Sequence, residues 1–488
     1  MAMPIILAID QSTSATKALL FDRSGKVIER ASLDHRQIYP RPGWVEHDAE
    51  EIWRNTLGVV GNLKPHGPLC LSISNQRETI VVFDRATGKP LHNAIVWQDR
   101  RGDPICAELS AHSEMVARKT GLKIDTYFSA SKLTWLIRNH PDIARKLAEG
   151  EALIGTIDTY LIYRLTEGKT FSTDHTNASR TLLFDISSLK WDEELCRLFG
   201  VPMRALAEVR DSTAPFGSTK LFGGEIPICG VMGDSQASLL GHRCFTPGMA
   251  KVTLGTGSSV LLNVGAALKP GGEAACSAIA WTYTGKPTYS FEGIINYSAG
   301  TIAWLKDQLH LIQSADETEA LARSVEKNGG VYLVPAFTGL SAPHWSPQAR
   351  AAIVGMSAHS TRAHVVRAAL ESIAYQIRDV LDAMKLYAGV ALRVINADGG
   401  ATRNAFLMQF LADVTGLEVT VVQAPDCSPL GAALAGMVGM GAVASFEDLA
   451  NLPRDVLSFR PQMPHEQANE LHAGWQRAVG LVLAGVRS

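Results

Sequence analysis

The sequence predicts an α/β protein of two similar halves with mixed sheets, on three observations. Short apolar strands alternate with helical patterns along the whole chain, as expected for sheets covered by helices. A strand–turn–strand unit at residues 5–22 (IILAIDQSTSATKALLFD) has an echo at 249–264 (MAKVTLGTGSSVLLNV). Turn chemistry at 246–248 (Thr-Pro-Gly) precedes the echo, which places a boundary near 243–247 and divides the chain into 1–243 and 244–488. Two such hairpins, one near the start of each half, predict two domains facing across a cleft.

Bulk properties narrow the function. The 488 residues are 46% hydrophobic and 19% charged, enough for large cores and unlike a disordered chain. A net charge of −2 offers no global attraction to nucleic acid or an acidic membrane. The seven cysteines are odd in number and contain no C-x-x-C pair, so they read as reduced thiols of a cytoplasmic protein rather than a disulfide or zinc framework. The start, Met-Ala-Met-Pro-Ile, lacks the regions of a signal peptide. The uncharged stretch 427–446 reaches membrane-spanning length. Its Pro429 and four glycines favour a closely packed core helix instead.

Taken in order, residues 5–9 form an unbroken apolar run, a strand buried on both faces, and 17–21 return as its partner. The turn between them carries Ser12, Thr13, Ser14 and Thr16. Its hydroxyls and backbone N–H groups suit a phosphate, although a self-capping turn with no ligand has the same composition. Asp10, at the strand's end, can hold Mg²⁺ directly or through water, and Lys17 adds a cation. Strands at 70–74 and 79–83 flank Arg77 and Glu78, which form either a solvated turn or a donor and acceptor for a hydroxylated substrate. A strand at 94–97 ends on Trp97. Trp97 and Tyr127 serve as core or as walls for a small carbon chain. Residues 131–139 read as a helix. The strand 228–232 runs into Gly233-Asp234-Ser235, ahead of a helix at 236–240. Asp234 there faces the cleft where α/β ligands sit. It is either a base that orients an acceptor or an ordinary helix cap.

In the second half, the turn 255–259 repeats the glycine and hydroxyl chemistry. Residues 364–384 carry Val366, Leu370, Ile373, Ile377, Val380, Leu381 and Met384 at spacings of three and four, an amphipathic helix. A strand at 392–397, the Gly399-Gly400 turn and a helix at 403–414 follow. Glycines there let a flat base approach the backbone, or simply turn the chain. No P-loop, H-E-x-x-H or G-x-S-x-G pattern occurs.

Together these segments closely resemble the FGGY family of carbohydrate kinases. The resemblance is carried by IDQSTSATK (9–17), YPRPGWVEHD (39–48), SNQRETIVV (74–82), NAIVWQDRR (93–101), YFSASKLTWLIRN (127–139) and TNASRTLLFD (176–185). It continues through GDSQASLLG (233–241), LGTGSS (254–259), VPAFTGLSAP (334–343), HVVRAALESIAYQIRDV (364–380), DGGATRNAFLMQF (398–410) and LGAALAG (430–436). It implies two ribonuclease-H-like (actin-type ATPase) domains around an active-site cleft: polyol and phosphate binding with the catalytic Asp in 1–243, ATP binding in 244–488. It implies transfer of phosphate from ATP to a small polyol, glycerol first and a tetritol or short ketose second, in a homo-oligomer. By the resemblance Asp234 is the catalytic base, and Arg77, Glu78, Trp97, Tyr127, Asp234 and Ser235 line the polyol. Thr13, Ser14, Lys17, Gly255 and Thr256 meet the phosphates, Gly400 and Asn404 the adenosine, and Asp10 and Asp234 the Mg²⁺. Ser235 and Ser259 stand where the family has a Gln and a Phe at the substrate, which predicts a larger, more polar pocket. The loop that binds fructose 1,6-bisphosphate in some relatives is missing at Phe222–Gly223–Gly224–Glu225. A partner-moving ATPase of the actin or chaperone type would use the same hairpins without an acceptor site.

Overall fold

The structure, a computed structural model, describes residues 5–63, 67–272, 275–423 and 426–487. The start of the chain, residues 1–4, lies outside them.

Each half is organised on one sheet, and the two sheets share a winding. In the first, Ile6–Gln11 is the central strand. Ala15–Phe21 and Val27–Asp34 add antiparallel to one side, and Cys70–Asn75 and Ile226–Gly233 add parallel to the other. Pro215–Thr219 closes the far edge of six strands. In the second, Met249–Leu254 is central. Ser258–Gly265 and Lys286–Ile295 lie antiparallel on one side, and Val394–Asp398 and Glu418–Val422 parallel on the other. Cys276–Tyr283 and Val456–Phe459 are its edges, for seven strands. This repeated order is the ribonuclease-H-like, actin-type ATPase arrangement. The first half also carries a four-stranded sheet of Glu46–His47, Ala94–Ile95, Ile80–Asp84 and Ala152–Thr156.

Two helices lie back to back between the sheets. Asp234–Gly241, from the first half, packs on strands Met249–Leu254, Ser258–Gly265 and Cys276–Tyr283 of the second sheet. Cys427–Gly439, from the second half, covers Ile6–Gln11, Cys70–Asn75 and Ile226–Gly233 of the first. Each half therefore lends a helix to the other. Their backbones touch: a Cβ on Gly431 would lie 1.7 Å from the Ala237 carbonyl oxygen. One buried cluster joins Ile6, Met232, Leu240, Leu261, Trp281 and Leu434. Close contact accounts for Gly431, Gly436 and Gly439 in 427–446, most of which is a buried helix, while Gly441 turns the chain beyond it at φ 68°. Among the described residues, no helix is long and apolar enough to cross a membrane.

Element ends moved where side chains decide them. The first strand extends to Gln11, so Asp10 sits inside it with Lys17 directly opposite. Ser258 and Ser259 belong to a strand, which shortens the second turn to Gly255-Thr256-Gly257. Trp97 lies in a turn beyond Ala94–Ile95. Residues Gly400–Arg403 form a 3₁₀ turn, because Asn404 accepts the Leu407 N–H at 2.9 Å and so starts the helix at Ala405. The long helix is Arg362–Ala388, and the seven apolar residues that forecast it are all buried.

Gly431→Ala forces a methyl against the Ala237 carbonyl. A loss of about 1–3 kcal/mol, the range for overpacking, is expected as a lower urea midpoint. An unchanged midpoint would show that the helix contact yields freely.

Candidate active site

The register puts the parallel strand ends of the first sheet side by side, Gln11 against Asn75 and Asn75 against Gly233. Side chains just before and after those ends meet at the carboxyl edge of the sheet, the usual ligand position in α/β folds. Asp10, Arg77, Glu78 and Asp234 all gather there.

Asp234 opens its helix, and its side chain is 35% exposed. It is aimed rather than loose: Oδ1 accepts the Ser235 N–H at 2.6 Å and faces Arg77 Nε at 3.2 Å. Arg77 is itself buried. Its Nη1 and Nη2 donate to Glu292 at 3.1 and 2.7 Å, and Nη1 also reaches Gln236 Oε1 at 3.2 Å. Arg180 closes the network, with Nε 2.7 Å from Glu78 and Nη2 2.8 Å from Glu292. Two arginines and two carboxylates thus neutralise one another out of contact with water. Burial opposes the charge on Glu292, yet Arg180 and Arg77 hold its carboxyl down at about 2. Burial pushes Glu78 up, against the pull of Arg77 and Arg180. Glu78 also sits at φ 61°, a left-handed backbone that side chains rarely adopt. The alternative of a solvated turn at 77–78 is excluded.

Trp97 and Tyr127 meet at a tilt beside these charges, with ring centroids 5.2 Å apart. Burial pushes the Tyr127 phenol up, and the Glu78 charge adds to it. The loop bearing Tyr127 is clamped by buried Lys132, which donates to the carbonyls of Thr126, Tyr127 (3.0 Å) and Phe128 (2.9 Å). Burial lowers that ammonium to about 8. Trp97 Nε1 donates to Thr13 Oγ1 at 3.0 Å, which ties the wall to the first hairpin.

The hairpin offers fewer groups than its composition promised. The Ser12 hydroxyl and N–H both bond the Ala15 carbonyl, at 2.9 Å each, and Thr16 is buried in the strand. Thr13 and Ser14 are left at the tip, with Thr13 held from below by Gln37 Nε2 on its carbonyl at 2.8 Å. Lys17 lies between carboxylates, 3.8 Å from Asp10 and 3.2 Å from Asp426; a phosphate must compete for it. Asp10 takes the Ser74 hydroxyl at 2.7 Å. Burial raises its carboxyl to about 6, with Lys17 and Ser74 pulling it down and Asp234 and Asp426 pushing it up. Carboxylates that repel one another at a buried strand end are a donor set suited to a divalent cation.

In the second half, Gly255, Thr256, Gly400 and Asn404 line one cavity of about 580 Å³, with Lys306, Asp316 and Arg403 also at its wall. That volume lies in the usual range for small-molecule sites. The glycine whose backbone needs to be glycine is Gly399: it sits at φ 97°, and a Cβ there would lie 2.3 Å from the Leu254 carbonyl oxygen. Gly400 has open space around it. Asn404 is partly engaged, capping its helix and donating to Thr318 at 3.0 Å.

Glu292, Arg180, Lys132 and Gln236 were not singled out from sequence. Glu292 left one signal, a single acid in the otherwise uncharged, mostly buried run PTYSFEGII. Ser235 is half-buried beside Asp234, and the Ser259 hydroxyl is buried without a hydrogen-bond partner among the described residues.

This fold and site define a phosphotransferase built on the actin-type ATPase fold. Residues 5–241 match the N-terminal domain, and residues 250–440 the C-terminal domain, of the FGGY family of carbohydrate kinases. The chain belongs to that family. It is 45% identical over 485 residues to the glycerol kinase of Petrotoga mobilis, covering 97% of each chain. It is 44% identical over 495 residues to the glycerol kinase of Rhodospirillum rubrum, covering 99% of this chain and all of that one. Among solved structures it superposes on Plasmodium falciparum glycerol kinase with ADP at a TM-score of 0.95 and 37% identity, covering 99% and 98% of the two chains. The xylulose kinase of Rhodospirillum rubrum, 23% identical, shares the fold at a TM-score of 0.89.

Glu292→Ala leaves Arg77 and Arg180 buried beside an uncompensated charge. The expected loss is about 3–5 kcal/mol, read by chemical denaturation; a loss below that of a surface substitution would remove Glu292 from the network. The raised Asp10 carboxyl has a definite sign. The folded chain keeps a proton that the unfolded chain sheds near pH 4, so this group's contribution to stability falls between about pH 4 and 6. If Asp10 is a Mg²⁺ ligand, its proton competes with the metal, and affinity should weaken as pH drops below about 6. Asp10→Asn should abolish that weakening in a Mg²⁺ titration.

Proposed function

We propose that the chain catalyses ATP-dependent phosphorylation of glycerol to glycerol 3-phosphate. The observation that carries the chemistry is Asp234: a carboxylate open to the cleft, held by Arg77 Nε at 3.2 Å at the carboxyl edge of the central strands. The names of the relatives carry the choice of glycerol.

Arg77, Glu78 and Tyr127 bind the acceptor's hydroxyls, and Trp97 walls its carbon chain. Asp234 takes the proton from the terminal hydroxyl as its oxygen bonds the γ-phosphorus and the bond to the ADP oxygen breaks. Thr13, Ser14 and Lys17 from one half and Gly255 and Thr256 from the other hold the phosphates. Gly400 and Asn404 sit by the adenosine in the second-half cavity. Asp10 and Asp234 would hold the Mg²⁺, which when bound would neutralise phosphate charge. Residues 1–243 thus form the acceptor domain and 244–488 the nucleotide domain. A cytoplasmic location, supported by an odd number of cysteines with no C-x-x-C pair, and a homo-oligomeric state belong to the same reading.

Ser235 and Ser259, small hydroxyl side chains where the family has a Gln and a Phe at the substrate, favour a second acceptor class. A coupled ADP-release assay on glycerol, tetritols and short ketoses separates the two by kcat/KM. A larger value for a tetritol would displace glycerol. Asp234→Asn should lower kcat by about 10²–10⁴, the usual worth of a general base, while nucleotide affinity stays unchanged. A near-normal kcat would remove Asp234 from the mechanism.

A further inference from the structure

A cavity of about 630 Å³ lies on the flank of the paired central helices, beside Gly241 and Leu430. Both halves wall it, and it shares no lining residue with the second-half cavity at Thr256 and Gly400. Its lining carries three cations, Lys26, Arg243 and Arg454, against one carboxylate, Asp455. Lys26 comes from the turn before the Val27–Asp34 strand, Arg243 from just after the Asp234–Gly241 helix, and Arg454 from the segment leading into Val456–Phe459.

The two arginines are unusual in what they meet. Arg243 is 8% exposed, and its Nη groups donate to the backbone carbonyls of Leu452 and Pro453. Arg454 is half-buried and donates to Asn396 Oδ1 at 2.8 Å. Neither has a carboxylate within ion-pair distance among the described residues, and neither Nε–H has a hydrogen-bond partner there. Burial and, to a lesser extent, the charge of Arg454 lower Arg243 to about 10. Buried charges are normally paired. Here two guanidiniums with an excess of positive charge border an open volume that both halves enclose. Guanidinium forks match phosphate oxygens, and a lysine adds a point charge on the same anion.

We propose that this cavity binds a phosphate group, bridged between the halves by Lys26 of the first and Arg454 of the second, with Arg243 at its back. A ligand there sits beside the helix pair through which the two halves meet, so occupancy favours one relative orientation of the halves.

The test is calorimetric titration of the full chain at low ionic strength, with Mg²⁺ and a non-hydrolysable ATP analogue saturating the cleft. Inorganic phosphate is the first probe and methyl phosphate the second. Inorganic phosphate is expected to bind one site, and the Lys26→Gln, Arg454→Gln double variant to bind it at least about tenfold more weakly. Asp234→Asn should bind it as the unaltered chain does. Equal affinity for methyl phosphate identifies a phosphate ester as the natural ligand, and preference for inorganic phosphate identifies the free ion. Arg243 is left in place because it clamps two carbonyls, and a melting curve confirms that the double variant is folded. Equal phosphate affinity in the variant and the unaltered chain, or no binding at millimolar phosphate, overturns the proposal. If the analogue fails to bind, the kinase reading falls, but the comparison of variant and unaltered chain still reads this cavity.

Discussion

The structure depends on the pairing of Arg77 with Glu292. A guanidinium buried in the first half is neutralised by a carboxylate on a strand of the second, at 2.7 and 3.1 Å. Arg180 and Glu78 complete the set. Four charges removed from water are tolerable only when they pair with one another at close range, so the four side chains have little freedom. That rigidity reaches the cleft through Arg77 Nε, which faces Asp234. The position of Arg77 therefore belongs to neither half alone: the arginine that faces Asp234 is set by an acid from the other side.

The same logic governs the rest of the cleft. Asp10, Asp234 and Asp426 share one region, with Lys17 bridging Asp10 and Asp426 across the halves. Such a concentration of acid would repel a polyphosphate unless cations intervene, and its carboxylates are the donor type that a divalent cation takes. The first-half hairpin is braced rather than free. Gln37 and Gln76 hold the carbonyls of Thr13 and Ser12, and Gln37 Oε1 meets the His47 ring at 2.7 Å. Gln76 belongs to the segment SNQRETIVV and His47 to YPRPGWVEHD, with Gln37 just ahead of it, and all three brace a loop that lies tens of residues earlier in the chain. Closely packed helices below the cleft limit how the halves slide, because Gly431 leaves no space between its backbone and that of Ala237.

Strands and helices were legible wherever burial follows a simple period. The apolar run at 5–9 and the spacing of Val366 to Met384 depend on local pattern alone, and the structure keeps both, with the strand beginning at Ile6. The uncharged stretch at 427–446 could be read as a core helix because its glycines match close contact. Chemistry was less legible. Arg77 and Glu78 were equally compatible with a wet turn, since no local feature tells an exposed ion pair from a buried one. Ser12 and Thr16 carry the same hydroxyls as Thr13 and Ser14, yet turn closure and strand direction remove them from the tip.

The chain by itself determined the duplicated α/β order, the positions of its two hydroxyl turns and the acid at 234, because these are encoded within a few residues of one another. Only the tertiary structure decided which charges are buried, that Glu292 answers Arg77 across 215 positions, and that each half lends a helix to the other. Those outcomes depend on distances between segments far apart in sequence, and pairing over such distances leaves no periodic trace along the chain.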